Sequence, residues 1–228
     1  MRVSQVITVT LIFGINYAFT QVKNKLVPKF ELTDTIGEWN YGNLYRDSLK
    51  QEFIQNEVIK QFNAARKAKG IAPLTADVGL KPAAVHNAIY NRYCMHKGIV
   101  QYAGSETTMT HFQNIDIPNF NEIPEVGARI KLLDQSKFNA ITEELTFNPI
   151  CACNPETFQQ AIAHVVNNFK ASEHHWADIT NKHWDAVYVY YDLHATELFT
   201  WTNPVSGKLE PLNSMNVMIF VILGEYKK

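Results

Sequence analysis

Three histidines, His174, His175 and His183, fall within the run Ser172–Tyr191 (SEHHWADITNKHWDAVYVYY), beside Trp176 and Trp184. Imidazole is the side chain that titrates near neutral pH, carries protons and ligates metals. Two further residues could share chemistry with it. His111 lies in the irregular stretch 101–122, and Glu143 lies beside Glu144 in the apolar segment Phe138–Phe147. His111, Glu143 and His175 are therefore the candidates, on a loop, a strand and a helix end. Each also has an ordinary explanation. A single histidine is commonly a hydrogen-bonded structural residue. One glutamate of an adjacent pair can face water, since neighbours on a strand point to opposite sides. Carboxylates inside an apolar strand are expensive to bury unless something pairs with them.

The elements that must position these residues follow from periodicity. Phe53, Ile54, Val58, Ile59, Phe62 and Ala65 recur at helical spacing, predicting an amphipathic helix from Gln51 to about Lys69, with Gly70 as its C-cap. Leu80, Ala83, Ala84, Asn87, Ala88 and Tyr90 mark a second helix ending near Gly98. Pro124 opens a short helix through Arg129 to Leu133, and Phe138–Phe147 reads as a strand. After the turn Cys151-Ala152-Cys153-Asn154-Pro155, a helix carries Phe158, Ala161, Ile162, Val165, Val166 and Phe169 on one face and leads into the histidine run. The alternation Val187-Tyr188-Val189-Tyr190 begins a strand, and two more are expected at about 197–202 and 216–223. Helices precede and alternate with few strands, and the last strands are sequential; the order gives an α+β fold, an arrangement of layers with helices on both sides of a small, mainly antiparallel sheet.

Composition excludes some functions. The chain has 228 residues, 46% of them hydrophobic, and a net charge of −1 without a basic run. Nucleic-acid binding requires concentrated positive charge, so that class is set aside. The apolar run Val6–Phe19 after Arg2 is short for a membrane span and matches a secretory signal peptide over 1–20. Residues 21–50 read as an N-terminal extension, and 51–228 as one domain with no transmembrane span. Export to a secreted, periplasmic or extracellular location permits disulfides. Of Cys94, Cys151 and Cys153, a Cys94 bridge to either of the others is one expectation, and three reduced thiols packed inside is the other. The chain contains no GxSxG elbow, HExxH, phosphate-binding glycine loop or GxGxxG.

The run Phe62–Gly70 (FNAARKAKG), then Pro73-Leu74, Leu80 and Ala84–Tyr90, resembles the first two helices of the CAP superfamily. These are the SCP-like extracellular domains of cysteine-rich secretory proteins, antigen five and plant pathogenesis-related proteins. The order continues with His111, an Arg129-bearing helix, Thr142-Glu143-Glu144-Leu145, and Ser172-Glu173-His174-His175 where the family has Ser-Pro-x-His. The resemblance covers about Gln51 to the C-terminus. It implies an α-β-α sandwich whose cleft is lined by His111, His175 and Glu143. Some family members hold a divalent metal such as zinc between the two histidines. Two imidazoles and a carboxylate can complete such a site with one position left to water.

Departures are visible at Glu173 for Pro, Trp176 for Arg, Glu144 for Asn and Phe169 for Trp, and the chain is more similar to the divergent bacterial branch. The resemblance implies a cleft for a small or extended ligand of the sterol, lipid or peptide class. Phe112, Trp176 and Trp184 near it would suit an apolar or sugar-like ligand, with ordinary core packing as the other reading, stronger for Trp184, which begins a strand. Two other readings stand beside it. One is a metal-assisted, protease-like hydrolase with Glu143 as general base. The other is an extracellular interaction module whose histidines only brace the fold.

Overall fold

The computed structural model describes residues 31–34, 44–97, 110–113, 116–117, 120, 122–151, 157–196, 200–202, 209–211 and 214–228. Apart from Glu31, these belong to one compact unit, Leu32–Lys228. The expected signal peptide over 1–20, Trp39, Tyr41 and Cys153 lie outside the described residues.

The first helix, α1 (Leu44–Ala68), begins at Leu44 rather than Gln51, so part of the predicted extension is helical. Ile54, Val58, Ile59 and Phe62 are its buried apolar residues, on the face that the spacing predicted, with Phe53 and Ala65 half-buried. Gly70 ends it with φ +70°, where an L side chain is strained. The Gly70 and Ile71 amides return to the carbonyls of Lys67 and Arg66. Arg66, 1% exposed, then donates to the carbonyls of Ala72, Ile179, Asn181 and Trp184 at 2.7–3.0 Å. This buried guanidinium ties the end of α1 to the turn within the histidine run. Burial lowers its pKa, and Asp185 partly offsets that.

A two-residue strand, β1 (Thr75–Ala76), and a 3-10 turn (Val78–Leu80) replace the simple turn expected before α2 (Lys81–Lys97). β1 pairs in parallel with β3 (Ala186–Thr196), a contact between segments far apart in sequence that no local pattern reveals. A 3-10 turn over Gly127–Leu132 carries Arg129 and precedes β2 (Phe138–Cys151). The next helix, α3 (Phe158–Ala171), starts with a capping box between Thr157 and Gln160. Its first amides also reach the Asp34 and Leu32 carbonyls at 2.9 Å. Phe158, Ala161, Ile162, Val165, Val166 and Phe169 are all buried, as their spacing requires.

Ser172 is extended and separates α3 from a second helix, α4 (Glu173–Ile179). His174 and His175 therefore open a new helix instead of ending the long one. The strands β4 (Thr200–Thr202) and β5 (Leu209–Pro211) form a two-stranded ribbon, and β6 (Ser214–Tyr226) closes the chain.

The described strands of the main sheet run in the order β1-β3-β6-β2, antiparallel except for β1. Alternate residues build two cores. On one face Leu80, Ala83, Ala84 and Ala88 of α2's side pack against Ile141, Leu145, Tyr188, Phe220 and Ile222. On the other face lie α1, α3 and α4, with Gln51 of α1 bonded to the Val189 carbonyl and the Tyr191 amide. Gly224 of β6 admits Leu80 and Phe138; a Cβ there would come within 3.0–3.2 Å of them. The architecture is α+β with helices on both faces of a mainly antiparallel sheet, as expected. Cys94 is a buried free thiol, correcting the expectation that it forms a bridge. Its burial pushes the thiol pKa up, which disfavours the reactive thiolate.

Candidate functional site

β2 places Glu143 and Glu144 on opposite faces of the sheet, paired across to Ile222 and Val221 of β6. Both are buried, at 3% and 1% exposure, so neither is the water-facing member of the pair. Their surroundings differ completely.

Glu143 faces α2. Its Oε2 accepts from Arg129 Nη1 at 2.8 Å, and both side chains are fully enclosed. Its Oε1 accepts from Asn87 Nδ2 at 2.8 Å and lies 3.2 Å from His111 Nδ1. The segment carrying His111 is fastened to α2 by side chains. The Thr110 carbonyl receives bonds from Asn87 and Asn91, both at 3.1 Å, and the Thr110 amide returns one to Asn91 Oδ1 at 2.8 Å. Gln113 Nε2 donates to Asn87 Oδ1 at 3.1 Å, while the Gln113 amide bonds the Pro124 carbonyl at 2.8 Å. Arg129 Nη2 also donates to the His111 carbonyl. A loop that lacks regular structure is thus held by a buried polar network. Burial, and then the charge of Arg129, lower the pKa of the neighbouring His86.

Glu144 faces α3 and α4, where the described groups that act on it are the carboxyls of Asp178 and Glu143 rather than a cation. Burial, the Asp178 carboxylate and then Glu143 push its pKa up to about 9. It is therefore a neutral acid at pH 7, hydrogen-bonded to Asp178. His175 Nε2 lies 3.6 Å from Glu144 Oε2. Its own pKa is lowered, by burial first and then by His111 and His174. A protonated Glu144 supplies no counter-charge, so that proximity does not make His175 a cation.

His111 and His175 meet around the β2 edge with ring centroids 6.3 Å apart, and Phe169 packs edge-on to His175 at 5.8 Å. Of the predicted site residues, His111, Glu143 and His175 are thus brought together. Trp176 points its ring to Phe62 at 6.2 Å and lies under Lys170. Phe112 is 57% exposed. His174 is exposed, whereas His183 contacts Trp184 and Glu225. Trp184 is buried in the core.

Asn87, Asn91, Asp178 and the clamping role of Arg129 were not evident as site features. Asn87 carried a usable signal, because it sits at helical spacing from Ala83 and Ala84 on a face that is otherwise apolar. As metal donors, the two imidazoles are suitable, but both glutamates are already committed, one to Arg129 and one to Asp178. Among the described residues no group of three His, Cys, Asp or Glu is arranged to hold a metal ion. Two imidazoles would leave the other positions of a divalent ion to water or ligand, and they do not form a closed structural site.

No protein-family model matches the chain, and no curated protein does. Solved structures that it resembles include an outer surface protein of Borrelia burgdorferi, at 19% identity and a TM-score of 0.46, covering 75% of this chain and 92% of that one. Another is an extracellular protein containing an SCP domain from Bacillus anthracis, at 10% identity and a TM-score of 0.46, covering 83% of this chain and 45% of that one. Likeness at this level assigns neither family nor activity. No helix among the described residues is long and apolar enough to cross a membrane.

Proposed function

We propose that this is an exported CAP-like protein whose cleft at His111 and His175 binds a small or extended ligand of the lipid, sterol or peptide class. A divalent ion such as zinc is part of that proposal, held by the two imidazoles. The observation that carries the reading is the meeting of two histidines from distant segments at 6.3 Å, one backed by a fully enclosed carboxylate. Buried Asn and Arg side chains hold the segment that presents His111 in place. A bound ion would polarise a ligand oxygen or water; the chain's own residues orient the two rings and exclude water behind them.

Binding is favoured over hydrolysis by the state of Glu143. A general base needs a lone pair within reach of the proton that it removes. Both Glu143 oxygens are engaged, by Arg129 on one side and by Asn87 and His111 on the other, and the side chain is fully enclosed. The deciding experiment is zinc titration of the purified chain, wild type against the His111→Ala/His175→Ala double variant. Stoichiometric binding that disappears in the double variant is the expected result. A wild type without affinity, or a double variant that binds equally well, would overturn the metal-assisted cleft and leave the interaction module in its place.

A further inference from the structure

We infer that Arg129 is a positioning residue that, through Glu143, fixes the tautomer of His111 and so decides which ring nitrogen is offered to a ligand. The inference rests on the cleft reading only for the word ligand; the positioning itself follows from five contacts.

Arg129 is fully buried and permanently charged. One prong of its guanidinium donates to Glu143 Oε2 at 2.8 Å, and the other donates to the His111 carbonyl. The same cation therefore holds the carboxylate in front of the ring and the backbone that carries the ring. Asn87 supplies the remaining direction. Its Nδ2 donates to Glu143 Oε1 at 2.8 Å, an orientation set by its Oδ1 accepting from Gln113 Nε2 at 3.1 Å. Glu143, facing a guanidinium, is an acceptor only. His111 Nδ1 lies 3.2 Å from its Oε1. A bare ring nitrogen at that distance would set two lone pairs against each other, so Nδ1 carries the hydrogen. In the neutral ring Nε2 is then the bare nitrogen, and it lies on the side of the ring away from Glu143. Isolated histidine favours the opposite form, with the hydrogen on Nε2. The preference is reversed here by a carboxylate whose position depends on Arg129.

The test is long-range proton–nitrogen NMR of the His111 ring in the purified chain. It is kept metal-free with a chelator at roughly pH 8.5, about two units above the ordinary imidazole pKa. Wild type, Arg129→Lys and Arg129→Gln are compared. The wild type should show a pyridine-like Nε2 and a protonated Nδ1. Arg129→Gln should revert to the Nε2–H form, and Arg129→Lys, which keeps the charge and loses the two-pronged fork, should show an intermediate ratio. A wild type with the hydrogen on Nε2 overturns the inference, as does a folded Arg129→Gln variant with an unchanged tautomer. If Arg129→Gln does not fold, an Arg129→Lys ratio equal to that of the wild type overturns it. A merely structural arginine would alter folding without moving this signature. Failure of zinc binding with the expected tautomer sinks the cleft reading and leaves the positioning role intact.

Discussion

Glu143 and Glu144 are neighbours on one strand and behave as different kinds of residue. Glu143 meets a buried guanidinium, an amide and an imidazole, and it forms an ion pair with the first. Glu144 meets Asp178 and a histidine of lowered pKa, and it keeps its proton. One side of β2 thus carries a compensated ion pair, the other a neutral acid. Identical side chains one residue apart are separated by the sheet, and what each meets beyond it decides its charge.

Removing the cation should break this contrast most severely. Arg129→Met leaves a buried carboxylate without its partner and is expected to cost about 3–5 kcal/mol in urea unfolding. Arg129→Met/Glu143→Gln should recover part of that loss. A single variant losing less than about 1 kcal/mol would mean that the pair does not behave as a buried one.

The Glu144 side should respond to pH instead. Its folded pKa is raised, so its contribution is fully present below the ordinary value of 4.5 and is lost as pH climbs toward about 9. At about 1.36 kcal/mol per unit, stability should fall by on the order of 3 kcal/mol between pH 4.5 and 7 through this group. Glu144→Gln, neutral at every pH, should flatten that slope and be more stable than wild type above neutrality. Parallel pH profiles for the two proteins would show that Glu144 is not the buried acid described.

Smaller effects sharpen the comparison. Asn87→Ala removes one of the two partners of both Glu143 Oε1 and the Thr110 carbonyl and should cost about 1–3 kcal/mol by thermal or urea unfolding. His175→Ala, which removes a partly exposed neutral ring, should cost about 1 kcal/mol or less while abolishing zinc affinity. A large stability loss there would assign His175 to bracing the fold.

Much of the frame was legible before any coordinates. The spacing of Phe158 to Phe169 and of Ile54 to Phe62 led to buried helix faces, and Gly70 marked a helix end, because these are local periodicities and local backbone preferences. The break at Ser172 was not legible, since an extended residue between two helical runs leaves the apolar pattern almost unchanged. Nor was β1, whose two residues are a strand only because β3 lies beside them. Cys94 illustrates the same limit. Its position in the chain leaves a bridge and a buried thiol equally open, and only packing resolves it.

By itself, then, the sequence determined the layered α+β frame and named His111, Glu143 and His175 as candidates, since residue type and period are local properties. The tertiary structure decided which glutamate meets Arg129, which keeps a proton beside Asp178, and that two histidines from distant segments face each other. Charge state is a property of surroundings, and surroundings are assembled from residues that the chain order keeps apart.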